Sequence, residues 1–171
     1  MKNILFVLSL GILLVNCGDE SSSDCDGSIS TVAGTETSSF DSPEQAWLVA
    51  NAGTNAHELG VLWINNGVTV NLQLLIELGG DQCVPVGRYD LDALPSSVQI
   101  FSIQYASLGS FASVSNVFSE DSDTGYIEIT KCDDAADVID LKFGFSTTSQ
   151  QSQSFTLSET VAIGVCFDRS K

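Results

Sequence analysis

The most regular stretch of the chain is VTVNLQLLIEL (residues 68–78). Val68, Val70, Leu72, Leu74, Ile76 and Leu78 fall on one face, and Thr69, Asn71, Gln73 and Glu77 on the other, with Leu75 the exception. Side chains of an extended strand point alternately to its two faces, so this period of two predicts a half-buried strand. Just ahead of it, Asn66-Gly67 interrupts the apolar run GVLWI. Both residue types tolerate positive φ, so the pair predicts a tight hairpin.

The same alternation recurs downstream. VQIFSIQYAS places Phe101, Ile103 and Tyr105 together, and SFASVSNVF reads as a further strand. GYIEITKC turns Ile127 and Ile129 inward. ADVIDLKFGFSTT buries Ile139, Leu141, Phe143 and Phe145, with Asp140 and Lys142 outside. QSFTLSETVAIGVCFD closes the series, with Val161, Ile163, Val165 and Phe167 expected on one inward face. VPVGRYDLDALPSS is a short strand and a proline loop; GGDQ and SEDSDTG are polar turns. SPEQAWLVANAG carries helix-start signals at Ser42, Pro43 and Gln45, but AWLVA also suits a strand and is read as a short one; SISTVAG suits another. Long helical periodicity and solenoid repeats are absent. The expected fold is all-β: a single-domain antiparallel β-sandwich, or a barrel-like variant, of about eight to ten short strands. The domain is placed at residues 43–168, with residues 169–171 as a tail.

The amino-terminal pattern differs. MKNILFVLSLGILLVNC has a basic start at Lys2 and an apolar run over residues 4–15, interrupted only by Ser9 and Gly11. As a helix that run rises about 18 Å, against a hydrocarbon core of about 30 Å, so it predicts a cleaved signal peptide over residues 1–16. Its end resembles a lipobox. Leu14 and Val15 precede Cys17, although Asn16 replaces the usual small residue, and CGDE follows as an acidic stretch of the kind that acts as a surface-export signal. The resemblance implies that Cys17 carries a diacylglyceryl thioether and anchors the chain, as an outer-membrane lipoprotein of the cell envelope, periplasmic or surface-exposed. Residues 17–42, rich in Ser, Thr, Gly and acids, are read as a flexible tether.

Charge narrows the partners. The formal net charge is −16, and loss of Lys2 makes the mature chain one unit more negative. The six basic residues are scattered, which argues against nucleic acid and against direct docking to anionic lipid. With Cys17 assigned to lipid, Cys25, Cys83, Cys132 and Cys166 remain, an even set suited to two disulfides in an oxidising compartment. The expected pairing is Cys25–Cys83 and Cys132–Cys166.

Candidate chemistry is sparse. His57, the only histidine, begins HELGV, where Val61 stands in place of the second zinc ligand of a His-Glu-x-x-His motif. There is no Gly-x-Ser-x-Gly elbow. SSDCDG imitates part of a calcium loop at Asp24, Asp26 and Gly27, but Ala33 occupies the position of the bidentate acid. SEDSDTG and KCDDAADVID bring carboxylates to turns, where they also serve as ordinary solvated turn residues. Trp47, Trp63, Tyr89, Tyr105 and Tyr126 have two placements open to them: a sugar-binding face, or the core.

Three segments in order, GVLWINNGVTVNLQLLIE, VPVGRYDL and TGYIEITKCDDAADVIDLKFGFST, resemble an uncharacterised family of Bacteroidota-type lipoprotein domains. The resemblance spans roughly residues 46–168 and implies an envelope-tethered β-sandwich. The family has no assigned activity, so no functional residue carries over, and the cysteines are an addition. The expectation is a monomeric, non-enzymatic binding or accessory module without a cofactor or metal. It would meet the membrane through Cys17 and take a polysaccharide or an envelope protein as ligand. The alternatives are a hydrolase using paired carboxylates and a purely structural envelope component.

Overall fold

The computed structural model describes residues 25–51, 54–78, 83–118, 120–148 and 154–169. Cys17 and residues 17–24 of the expected tether lie outside them, as does the signal segment. Among the described residues there are eleven strands and no helix. They form two antiparallel sheets packed face to face, a β-sandwich as the alternation predicts. The strands are β1 (Ile29–Ala33), β2 (Glu36–Phe40), β3 (Gln45–Ala50), β4 (Ala56–Asn65), β5 (Val68–Glu77), β6 (Gly87–Asp90), β7 (Val98–Ser107), β8 (Ser110–Ser115), β9 (Thr124–Asp133), β10 (Val138–Thr148) and β11 (Ser154–Cys166). One sheet has the order β2-β1-β11-β10-β9-β6 and the other β3-β4-β5-β7-β8.

The β4–β5 hairpin is the one the sequence announces. Asn65 pairs with Val68 across a two-residue turn in which Asn66 (φ 49°) and Gly67 (φ 80°) are both left-handed. Such a turn matches the right-handed twist of the strands it joins. Val70, Leu72, Leu74 and Ile76 all point into the core. They meet Ile127, Ile129, Ile139, Leu141 and Phe143 from the opposite sheet. Trp63 stacks on Phe143 across the sandwich, ring centroids 5.7 Å apart. Its indole N–H donates to the Gly27 carbonyl at 2.9 Å, so the buried polar atom is satisfied and the incoming chain is pinned to the core.

Three expectations are corrected. First, the tether does not extend to residue 42. β1 and β2 lie within that stretch, and β1 pairs with β11 in the six-stranded sheet. Their Ser/Thr-rich sequence hides an alternation in which Ile29, Thr31, Ala33 and Phe40 are buried. Second, the inward face of β11 changes phase. Val161 and Ile163 are exposed, whereas Ala162, Val165 and Phe167 are buried. Ile139 pairs with Val165 but Leu141 pairs with Ala162, so β11 holds one extra residue there, a bulge at Gly164 (φ 71°). The bulge amide donates to Asp140 Oδ1 at 2.7 Å.

Third, the disulfides are Cys25–Cys166 and Cys83–Cys132, with Cα separations of 5.3 and 6.0 Å. The pairing Cys132–Cys166 fails on geometry. Cys132 lies on β9 and Cys166 on β11, with β10 between them: Ile139 faces Cys132 and Val138 faces Cys166. Two strand spacings are about 9.5 Å, and a disulfide spans Cα atoms no more than about 7 Å apart. Cys83 instead precedes β6, which pairs with β9 and brings it to Cys132. After β11 the chain crosses to the other sheet, where Asp168 bridges to Trp47 along the edge of β3.

Candidate functional site

The half of each alternation that does not enter the core forms the two outer faces, and these differ in chemistry. On the six-stranded sheet, Arg88, Glu128 and Lys142 make one cross-strand row, and Lys131 pairs with Asp140 in another. Arg88 donates to Asp90 at 2.7 Å and lies 3.8 Å from the centre of the Tyr126 ring. The Tyr126 hydroxyl donates to Glu159 Oε2 at 2.9 Å. Burial, reinforced by the hydrogen bond to Glu159 and by its charge, pushes the Tyr126 phenol up to about 12. A shallow groove of about 600 Å³ nearby is lined by Asp26, Ser28, Lys131, Asp140, Val161 and Ile163. This face is a mosaic of both signs.

The outer face of the five-stranded sheet is sparse in charge. Registers align Trp47, Gly60, Gln73, Ser102 and Ser115 in one row and Gln45, Leu62, Asn71, Gln104 and Ser113 in the next. Among the described residues its strands carry two full charges on this face: Glu77, at the end of β5, which accepts from Gln99 Nε2 at 2.9 Å, and Glu58, which is more central. Its Oε1 accepts from Trp47 Nε1 at 2.9 Å and from Gln73 Nε2 at 3.2 Å.

Trp47 has a specific bed. A Cβ built on Gly60 would fall 2.1 to 2.7 Å from three atoms of the indole. The ring therefore lies flat across the Gly60 backbone, in space that any other residue would fill. Glu58 fixes the indole edge, and Gln73 fixes Glu58. One aromatic face is covered by the sheet, and the side chain as a whole stays partly exposed. The result is a rigid aromatic plate beside a row of amides and hydroxyls.

The five aromatics divide between the two placements open to them, core and surface. Trp63 and Tyr105 are fully buried and Tyr89 nearly so. Trp47 and Tyr126 lie on opposite outer faces. Tyr105 donates to Glu36 at 3.0 Å and Tyr89 to the Pro85 carbonyl at 2.9 Å.

His57 faces inward at one end of β4, between Ala50 and Ile76. Its Nδ1 is buried and makes no hydrogen bond among the described residues. The acidic turns put their carboxylates to local use. Asp123 accepts from Thr147 at 2.6 Å and from the Glu120 amide at 3.0 Å. Asp133 caps the amides of Ala135 and Ala136. Asp134 and Asp137 both pair with Arg169, and Asp26 accepts from Ser28. Among the described residues, no three His, Cys, Asp or Glu side chains are grouped to hold a metal ion. Of the sites read from the sequence, only the four cysteines are brought together in pairs. The Trp47 bed was missed, because its partner Gly60 is a cross-strand neighbour that only the register identifies. Compared with family models, with curated proteins and with solved structures, the chain finds no match.

Proposed function

We propose that this protein is a lipid-anchored lipoprotein of the cell envelope and serves there as a non-enzymatic binding module. The anchor is Cys17, at the end of an apolar run too short to span a bilayer. Two disulfides favour an oxidising, extracytoplasmic compartment, and the resemblance to envelope lipoprotein domains points the same way. The observation that carries the binding role is the sparsely charged outer face of the five-stranded sheet, with Trp47 laid on Gly60 and held by Glu58. A pre-positioned aromatic loses little freedom when it is covered, so it is suited to contact rather than to filling surface.

Two measurements test this. Intact-mass analysis of the membrane-extracted protein is expected to find an acylated chain beginning at Cys17; an unmodified Cys17 would remove the anchor. The detergent-solubilised protein is expected to bind envelope fractions saturably, and Trp47→Ala is expected to weaken that binding. Retention that does not saturate, or that ignores Trp47→Ala, would remove the binding role.

A further inference from the structure

We infer that the outer face of the five-stranded sheet binds a neutral polysaccharide, stacked on Trp47 and hydrogen-bonded by Asn71, Gln104 and Ser113. This rests on the binding role proposed above and names its ligand class.

The first argument is charge. The chain carries a net −16, and its field disfavours polyanions such as nucleic acids and acidic glycans. A charged partner finds complements on the opposite sheet, where Arg88, Lys131 and Lys142 alternate with Asp90, Glu128, Asp140 and Glu159. On the five-stranded sheet the two strand carboxylates, Glu58 and Glu77, already accept hydrogen bonds from uncharged donors. A face with so few charges on so acidic a molecule complements a neutral ligand.

The second argument is functional groups. Sugar rings present apolar C–H faces edged by hydroxyls. The indole supplies a plate for the first, and amides that both donate and accept supply partners for the second. The row from Gln45 through Asn71 and Gln104 to Ser113 crosses five strands, about 19 Å at the spacing of strands in a sheet. That length suits a run of linked sugars rather than a single one.

A purely structural account exists for the tryptophan. An aromatic laid across a cross-strand glycine restores packing that the glycine lacks. It explains Trp47 over Gly60 but leaves the row of uncharged amides and hydroxyls unexplained, on a protein that fills its other outer face with charge.

The test is affinity electrophoresis of the detergent-solubilised full chain. The gels contain mixed-linkage β-glucan, xylan, galactomannan or dextran, with polygalacturonate as the acidic comparison. At least one neutral polymer is expected to retard the protein, and polygalacturonate is not. Trp47→Ala is expected to weaken retardation by about tenfold or more, and Asn71→Ala/Gln104→Ala by a similar factor with unchanged melting temperature. The double variant separates recognition from packing, since it leaves the indole bed intact. Trp63 is fully buried, so a change in tryptophan emission on binding would report Trp47. Failure of every neutral polymer, equal binding of polygalacturonate, or retardation unchanged in both variants would overturn the proposal. If saturable envelope binding survives that failure, the sugar assignment alone falls; if it is lost too, the binding role falls with it.

Discussion

Removing the outer disulfide should cost the domain a large share of its stability. Cys25–Cys166 closes a loop of 141 residues, and Cys83–Cys132 lies inside it with a loop of 49. With the inner bridge closed, the effective outer loop is about 92 residues, and the chain-entropy relation assigns its closure about 4.6 kcal/mol at 25 °C. Domains of this kind are stable by about 5–15 kcal/mol in all. The variant Cys25→Ser/Cys166→Ser should therefore unfold at a much lower urea concentration, with a melting temperature lower by about 10–15 °C. Thiol titration of the denatured variant should find Cys83 and Cys132 still oxidised. Cys25→Ser/Cys83→Ser should leave Cys132 and Cys166 as free thiols, because β10 separates them. A loss below about 1 kcal/mol in the first variant, or a Cys132–Cys166 bridge in the second, would refute the reasoning.

Three further outcomes are expected. All three tyrosines are held above their ordinary value, so absorbance titration at alkaline pH should show no step at the value of a free phenol, with Tyr126 ionising at about 12. The neutral phenol is favoured by folding, so the tyrosines' contribution to stability should be complete below about pH 10 and be lost from there to about 12; Tyr126→Phe should blunt that fall and remove the last step. Phe143→Ala empties the space against Trp63 and should cost about 3–5 kcal/mol in denaturant unfolding. Gly67→Ala forces a side chain into left-handed backbone and should cost about 1 kcal/mol, read as a lower melting temperature with unchanged far-ultraviolet circular dichroism.

Where a strand is long and one-sided, its place is legible from sequence. β5 announces itself because every second residue from Val68 to Leu78 is aliphatic, and Asn66-Gly67 fixes the register of its partner. β2 does not, because an edge strand buries only Phe40 fully and its remaining Glu, Thr and Ser residues look like linker. On β11 the alternation misleads past the bulge: Val161 and Ile163 have the residue types of the core but the phase of the surface. The disulfides and the Trp47 bed share one reason for being illegible. Each depends on which strands are neighbours, and Gly60 or Cys132 says nothing of that by itself.

The bond between Cys25 and Cys166 also sets the mechanics of the molecule. It joins the chain just before β1 to the last residue of β11. A pull applied ahead of Cys25 and resisted after Cys166 runs through a single covalent link, and the strands between them carry none of it. Only when that link is reduced would the same pull peel β1 from β11 and begin to unravel the sandwich. With the link intact, a load applied ahead of Cys25 is delivered to the end of β11, an interior strand of its sheet, and not to the β1–β2 hairpin at the sheet edge, which would open far more readily.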